Sequence, residues 1–231
     1  MVIYVKKNYY KFELNVTLLS ILSIVLLIVL VMLDALLVGD RVISFNDDSF
    51  AWILFAYFGY IVLHEICHGI GFTLFVKNKK NVKYGAALEK GVFYAMCQER
   101  ISKKGIIISL IFPIIFLTII PYPIALIMEW PLLEVLALAN LASAVGDLAL
   151  LGLAVKLPSD VQYIDYDSVI GAYFVSEKDL SKYKALCCKY VETGEDSDDL
   201  INKNIKFITI TKTSWIYLAV IVVLGILMLV I

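Results

Sequence analysis

Long apolar runs alternate with shorter polar segments along this chain. The runs cover residues 16–38, 50–76, 106–128, 131–155 and 215–231. A helix that crosses the hydrocarbon layer of a membrane needs about 17–25 residues, so each run is long enough to span it. The pattern therefore predicts an all-α polytopic membrane protein with about five transmembrane helices.

The polar segments divide the chain into three expected parts. Residues 1–155 are predicted to form a membrane core, residues 156–214 a small cytoplasmic α+β segment, and residues 215–231 a C-terminal transmembrane helix. The first apolar run is too long for the apolar region of a cleaved signal peptide, so we expect it to stay as an anchor. The composition agrees, since 61% of the residues are hydrophobic and 18% are charged.

Residues 82–97, in the connector after the second run, are predicted to form a cytoplasmic hairpin. Two short β-prone stretches there flank Glu89-Lys90-Gly91, a charged turn that contains glycine. A hairpin this apolar either covers the site and binds substrate along residues 92–96, centred on Tyr94, or packs as a connector with no chemical role. The sequence leaves both alternatives open.

The polar segment after residue 156 is predicted to mix strands and a helix. Residues 161–176 have the pattern of one or two strands, and residues 205–211 that of another. Between them, residues 177–191 are predicted to form a helix with Ser176 as its N-cap.

The basic residues predict the orientation of the chain in the cell membrane. With the N-terminus inside, the inner segments (residues 1–15, 77–105 and 156–214) hold 19 of the 20 Lys and Arg, and Arg41 alone is outside. Inner loops are enriched in Lys and Arg. The N-terminus is therefore expected in the cytoplasm and the C-terminus outside.

Other classes of protein are disfavoured by charge and cysteine content. The chain has no basic stripe or nucleic-acid module, so no nucleic-acid partner is expected. Its four Cys do not suggest a disulfide framework, because three lie on the predicted cytoplasmic side and Cys67 lies within a span. The oligomeric state is open.

His64-Glu65-Ile66-Cys67-His68 lies inside the second apolar run and contains both histidines of the chain. Side chains at i and i+4 share one face of a helix, so both imidazoles can bind one Zn²⁺. Glu65 lies beside them and can accept a proton from water. This HExxH pattern is typical of a zinc metallopeptidase.

Asp147 is the predicted third zinc ligand. Charged residues inside a membrane tend to mark function. His68 and Asp147 each lie about 12 Å from the inner end of their span, at 1.5 Å per residue, and so at one depth. Asp34 and Glu134 lie near outer helix ends, where water or headgroups can solvate them. Cys97 could bind zinc only if the hairpin folded back, which makes thiolate ligation the weaker alternative.

Asn140 lies two helical turns before Asp147, on the same face of the predicted helix. Its amide could hydrogen-bond the substrate carbonyl or the tetrahedral intermediate, as a catalytic residue. It could equally make an interhelical hydrogen bond. Gly69, Gly71 and Gly146 are expected to let the second and fourth spans approach closely.

From about residue 50 to 158 the chain resembles the zincin peptidase family of small prokaryotic membrane proteins, related to site-2 type intramembrane zinc proteases. The residues that carry this resemblance are the HEICH helix, a span with a proline, and a later segment with Asn140, Ser143, Gly146 and Asp147. The resemblance implies His64, His68 and Asp147 as zinc ligands and Glu65 as the catalytic acid and base. The chain has Gly-Asp where the site-2 pattern has Asp-Gly.

Together these features predict a hydrolase that cleaves a peptide bond in or near the lipid bilayer, with a membrane protein or membrane-proximal peptide as substrate. Two alternatives stay open. A zinc hydrolase acting on a lipid amide or ester would use the same site, and a non-catalytic membrane partner protein could keep zinc for structure. An intact Glu65 argues against the second, because ligation does not require it.

The predicted orientation can be tested by thiol labelling of intact cells. A cysteine introduced in place of Arg41 is expected to react with an impermeant thiol reagent, because residue 41 lies outside. Cys187 is expected to stay unlabelled until the cells are permeabilised. The opposite labelling would invert the topology.

Overall fold

The computed structural model describes residues 8–39, 49–87, 92–165 and 171–191. Within these ranges the protein is mixed α/β, with helices predominating. The helices are α1 (Val16–Val38), α2 (Ser49–Thr73), α3 (Lys103–Ile114), α4 (Pro121–Ile127), α5 (Pro131–Ser143) and α6 (Val145–Lys156), with a π-helical turn at Ile115–Ile119 and a 3-10 turn at Lys79–Asn81.

Seven strands form two antiparallel sheets within the described residues, so the expectation of an all-α fold is corrected. They are β1 (Asn8–Leu14), β2 (Val82–Ala87), β3 (Val92–Cys97), β4 (Ile101–Ser102), β5 (Gln162–Ile164), β6 (Gly171–Ser176) and β7 (Cys188–Val191). The larger sheet has the order β4-β5-β6-β1-β7, and β2 pairs only with β3.

Three described helical segments are long and apolar enough to cross a membrane: Val16–Val38, Ile53–Thr73 and Lys103–Ile127. The pair α5 and α6 makes a fourth if it is counted as one span, although it bends by 47°. These segments match the first four predicted spans to within a few residues. The fifth predicted span, residues 215–231, lies outside the described residues.

Strand β1 joins the start of the chain to the segment that follows α6. It pairs with β6 on one side and β7 on the other, and Phe12 from its middle is fully buried against Phe174. The side chains of Tyr10, Phe12 and Leu14 alternate with polar ones, which is the period of a half-buried strand.

The polar segment is partly as predicted. The strands expected within residues 161–176 are confirmed as β5 and β6. The helix expected over residues 177–191 is wrong, because this stretch runs through turns into β7, which pairs with β1. Ser176 ends β6 and accepts a hydrogen bond from the Lys178 backbone, a local turn and not a helix cap. The strand predicted at 205–211 lies outside the described residues.

Three prolines lie in the third apolar segment. Pro113 lies inside α3, and Pro121 and Pro123 lie in α4, after the π-helical turn. A proline has no backbone N–H, so the carbonyl four residues earlier loses its helical donor. For Pro113 and Pro121 these carbonyls belong to Ser109 and Leu117. Side chains of α2 take both: Tyr60 donates to Leu117 O at 2.7 Å, and a ring nitrogen of His68 lies 2.9 Å from Ser109 O.

The fourth predicted span is interrupted at Ala144, between α5 and α6. The break separates Asn140 from Asp147, so the two residues do not share one continuous helix face. Asp34 and Glu134 also differ from expectation, since both are buried inside the protein. Asp34 accepts a 2.6 Å hydrogen bond from the Tyr122 hydroxyl, which offsets the cost of burying it.

Candidate functional site

Helix α2 presents His64, Glu65 and His68 toward the interior of the helical region. Nitrogen and oxygen atoms of the three side chains all lie within 4.8 Å of one another. The ring centroids of the two histidines are 4.8 Å apart and nearly perpendicular, as the i and i+4 spacing predicts. Both histidines are buried.

Asp147, at the start of α6, meets both histidines. Its Oδ2 lies 3.0 Å from His64 Nε2 and its Oδ1 lies 3.2 Å from His68 Nε2. The two Nε2 atoms are 3.1 Å apart. The structure therefore brings together the three side chains that sequence analysis selected as zinc ligands, although they come from helices separated by more than seventy residues.

His68 is oriented by a carbonyl that a proline has freed. Its Nδ1 lies 2.9 Å from Ser109 O, the group that loses its helical donor to Pro113. A carbonyl oxygen only accepts hydrogen bonds, so His68 Nδ1 carries the hydrogen. The close approach requires Gly71, because a Cβ there would lie 2.7 Å from the Ser109 Cα.

His64 is oriented by Asn140, whose Oδ1 lies 2.9 Å from His64 Nδ1. The Asn140 amide nitrogen donates to Pro113 O at 3.2 Å and to the Thr118 hydroxyl at 3.0 Å. Thr118 in turn donates to Ala137 O. These contacts fix the amide so that its oxygen faces the imidazole, and His64 Nδ1 therefore carries the hydrogen.

The hydrogen placement leaves acceptors facing one another at the centre. Neutral His64 and His68 with hydrogen on Nδ1 have a lone pair on each Nε2. These two lone pairs and the Asp147 carboxylate converge within 3.0–3.2 Å. Such an arrangement is repulsive unless an imidazole takes a second proton or a metal cation lies among the three groups.

The spacing of the three groups fits zinc. Bonds of about 2.0–2.1 Å to a tetrahedral Zn²⁺ separate its ligand atoms by roughly 3.3 Å. The observed separations are close to this value. Two imidazoles and one carboxylate leave the fourth position for water or substrate. The Asp147 side chain is 16% exposed.

Glu65 lies beside this group and contacts the hairpin. The N–H of Ala95 in β3 donates to Glu65 Oε2 at 2.8 Å. Strand β3 also packs on α2 through Phe93, whose ring meets Phe58 edge to face at 5.2 Å. The predicted hairpin is therefore confirmed, and its second strand lies against the HExxH helix.

Gly69, Gly71 and Gly146 do not make the close helix contact that the sequence predicts. Gly71 lets α2 approach α3, and Gly69 faces the ring of Tyr84 in β2, where a Cβ would clash with the hydroxyl. Gly146 has only Leu19 of α1 near its position. The close approach predicted between the second and fourth spans is thus made between the second and third.

The cysteines do not join the metal-binding group. The Cys97 thiol is buried and donates to Glu99 O at 3.2 Å. Burial raises the pKa of Cys97 to about 12, which disfavours the thiolate that zinc requires. No Cys lies in the one group of potential ligands found among the described residues.

Asp165, directly after β5, was missed by sequence analysis. Its Oδ2 accepts a hydrogen bond from Cys97 N at 3.0 Å and its Oδ1 accepts one from the Tyr163 hydroxyl at 2.6 Å. Burial raises the pKa of the Asp165 carboxyl to about 6. Its sequence neighbourhood, a strand end in a polar segment, resembles an ordinary loop, so only the fold reveals the contact.

Comparison with known proteins gives one family. Residues 57–162 match the model of the family described as "Putative zincin peptidase". Neither the curated proteins nor the solved structures gave a match. The matched segment contains most of α2, the hairpin, α3 to α6 and the three residues of the HExxH group. Over residues 57–162 the chain is therefore similar to this family, and its His64-Glu65-His68 group supports a zinc metallopeptidase.

Proposed function

We propose that this protein is an intramembrane zinc metalloprotease that cleaves a peptide bond within or beside the cell membrane. One observation carries the proposal: the Nε2 atoms of His64 and His68 and the Asp147 carboxylate converge within 3.0–3.2 Å, and Glu65 lies beside them. His64, His68 and Asp147 would hold the metal. The location in the membrane rests on the apolar helices that carry these residues.

The residues divide the chemistry between them. When bound, Zn²⁺ supplies a Lewis acid that makes water more acidic and polarises a carbonyl. Glu65 accepts a proton from water and passes it to the leaving amine as the peptide bond breaks. Asn140 and Ser109 O hold the imidazoles in the tautomer that ligation needs. The contacts of Asn140 favour this positioning role over direct contact with substrate.

The hairpin favours a peptide over a lipid as substrate. A transmembrane helix must unwind before its carbonyls can react, because each is already hydrogen-bonded within the helix. The unwound backbone then needs partners, and the edge of a strand supplies them. Strand β3 has such an edge next to Glu65, on the side away from β2; Glu65 accepts from its Ala95 N–H and Asp165 from its Cys97 N–H, so substrate would pair at Phe93. A lipid amide or ester would gain nothing from it.

The register of the hairpin identifies which β3 groups face this edge. Ala95 N–H points to Glu65, away from β2, so the pair Ala95 and Tyr84 is not hydrogen-bonded across the hairpin. Hydrogen bonds alternate along an antiparallel pair, so Phe93 and Cys97 face the same way as Ala95. Tyr94, the centre of the predicted substrate strand, points its N–H toward β2.

Zinc content tests the proposed ligands. Purified protein is expected to hold one Zn²⁺ per chain, and His64→Ala, His68→Ala or Asp147→Ala should each release it, because a three-ligand site loses affinity with any ligand. Asn140→Ala should weaken binding by about 10-fold to 100-fold through the freed imidazole. Metal analysis after dialysis against a chelator measures both effects. Full zinc retention by Asp147→Ala would remove Asp147 from the site.

Hydrolysis by a Glu65→Gln variant separates metal binding from chemistry. Gln keeps the shape of Glu and still accepts the Ala95 hydrogen bond, but it cannot take a proton from water. The variant should keep its zinc and lose cleavage of labelled casein by at least about 100-fold. Normal turnover by Glu65→Gln would refute the assignment of Glu65 as general base.

Substitution at position 93 tests strand addition. Phe93→Pro removes an outward N–H without removing a hydrogen bond to β2 or the Ala95 contact to Glu65, which is where a strand tolerates proline. Casein cleavage should fall about tenfold or more relative to Phe93→Gly while zinc content stays unchanged. Phe93→Gly also loses the ring but keeps the N–H, and serves as the control. Equal activity of the Pro and Gly variants would mean that the β3 edge does not hold substrate.

A further inference from the structure

Asp165 lies just outside the segment that matches the family, which ends at residue 162. It follows β5 of the larger sheet, yet its contacts reach β3 of the hairpin. Its backbone N–H donates to Cys97 O at 2.9 Å and its carboxylate accepts from Cys97 N–H at 3.0 Å. Asp165 thus makes two hydrogen bonds with Cys97, one through its backbone N–H and one through its carboxylate.

Cys97 needs these partners because it is fully buried. Its N–H points away from β2, on the same edge as the N–H of Ala95 two residues earlier. A buried N–H without a partner is costly, so the Asp165 carboxylate fixes this end of β3. On the same edge of β3, the Ala95 N–H donates to the Glu65 carboxylate. The two contacts, at Ala95 and at Cys97, are separated by a single residue.

Tyr163 connects Asp165 back to the HExxH helix. Its hydroxyl donates to Asp165 Oδ1 at 2.6 Å, and its ring stacks on Phe72 with centroids 6.1 Å apart and planes at 10°. Phe72 lies in α2, seven residues after Glu65, or about 10 Å along the helix at 1.5 Å per residue. The contacts therefore close a loop that starts and ends on α2.

The members of this loop, in order, are Phe72, Tyr163, Asp165, Cys97, Ala95 and Glu65. Each contact is a hydrogen bond or a ring stack between groups on regular elements or directly next to one. A displacement of β3 along α2 would have to break the Cys97 pair or strain the Tyr163 stack. The larger sheet thus fixes the position of β3 along α2, relative to Glu65.

We propose that Asp165 is a positioning residue for this site: it holds the outer edge of β3 where Ala95 meets the Glu65 carboxylate. The inference deepens the proposed function, because its catalytic consequence rests on the role of Glu65. It gives the larger sheet, which lies mostly outside the matched segment, a part in arranging the site. Asp165 does not touch the histidines or the Asp147 carboxylate in any described hydrogen bond.

Amide hydrogen exchange at Ala95 and Cys97 tests the coupling without requiring turnover. The full chain in lipid nanodiscs at pH 7.5 is compared with Asp165→Ala. Loss of the carboxylate should speed exchange about tenfold at Cys97, the residue it contacts, and about as much at Ala95, which it does not contact. Zinc content should not change, since no proposed ligand is altered.

Three further variants make the result specific. Asp165→Asn can accept from Cys97 N–H and donate to the Tyr163 hydroxyl, so it should restore protection at both amides. Tyr163→Phe removes one of the two bonds to the carboxylate and should give intermediate exchange; it replaces Asp165→Ala if that variant does not fold. Asp179→Ala is the control, because exposed Asp179 also accepts a backbone N–H, from Ser181, far along the chain from β3.

Faster exchange at Cys97 alone, with Ala95 as in the wild type, would overturn the proposal. So would a failure of Asp165→Asn to restore protection at Ala95. Casein hydrolysis measured on the same samples should fall severalfold in Asp165→Ala and recover in Asp165→Asn. If exchange behaves as expected while Glu65→Gln still cleaves casein, the positioning contact stands and the proposed role of Glu65 is the part that fails.

Discussion

Each histidine of the site donates its Nδ1 hydrogen to a fixed oxygen, and the rest of the site depends on this constraint. Asn140 Oδ1 accepts from His64 and Ser109 O accepts from His68. Both Nε2 lone pairs must then face inward, where they meet Asp147. As neutral imidazoles and a carboxylate, these three acceptors would repel one another inside an apolar helical region, so either an imidazole takes a second proton or a metal cation binds among them. With a metal cation the same geometry is stabilising, and the buried carboxylate is neutralised.

The two oxygen acceptors exist because the third apolar segment is irregular. Pro113 removes the helical donor of Ser109 O, and the π-helical turn that follows brings Thr118 to the amide of Asn140. An uninterrupted helix would use these carbonyl groups internally. Irregular backbone in an apolar environment is tolerated where other groups satisfy it, and here side chains of α2 and α5 do so. The irregular backbone of the third apolar segment therefore orients the two imidazoles of α2.

The sequence was most informative where chemistry restricts the residue type. The i and i+4 spacing placed His64 and His68 on one face, and the matching depth selected Asp147 among the acidic residues of the apolar runs. The hairpin and the strands within residues 161–176 also followed from local pattern. The break at Ala144 did not, because neither Ala144 nor its neighbours is a strong helix breaker.

The predictions that were wrong or missing share one physical cause, which is pairing between distant parts of the chain. Residues 177–191 have apolar spacing compatible with a helix, but pairing of β7 with β1 decides their conformation. Strand β1 is short, and its alternating pattern does not identify a strand until its partner strands are known. Asp165 gives no signal in sequence, since its partner Cys97 lies sixty-eight residues earlier.

X-ray absorption at the zinc edge of the purified, lipid-embedded protein tests whether a metal binds between His64, His68 and Asp147. We expect one zinc per chain with nitrogen and oxygen neighbours at about 2.0–2.2 Å, including two imidazoles, and no sulfur ligand. The zinc signal should be lost in His64→Ala and in His68→Ala, because each variant releases the metal. A sulfur neighbour at about 2.3 Å, or wild-type protein that holds no zinc at all, would contradict the proposed zinc site.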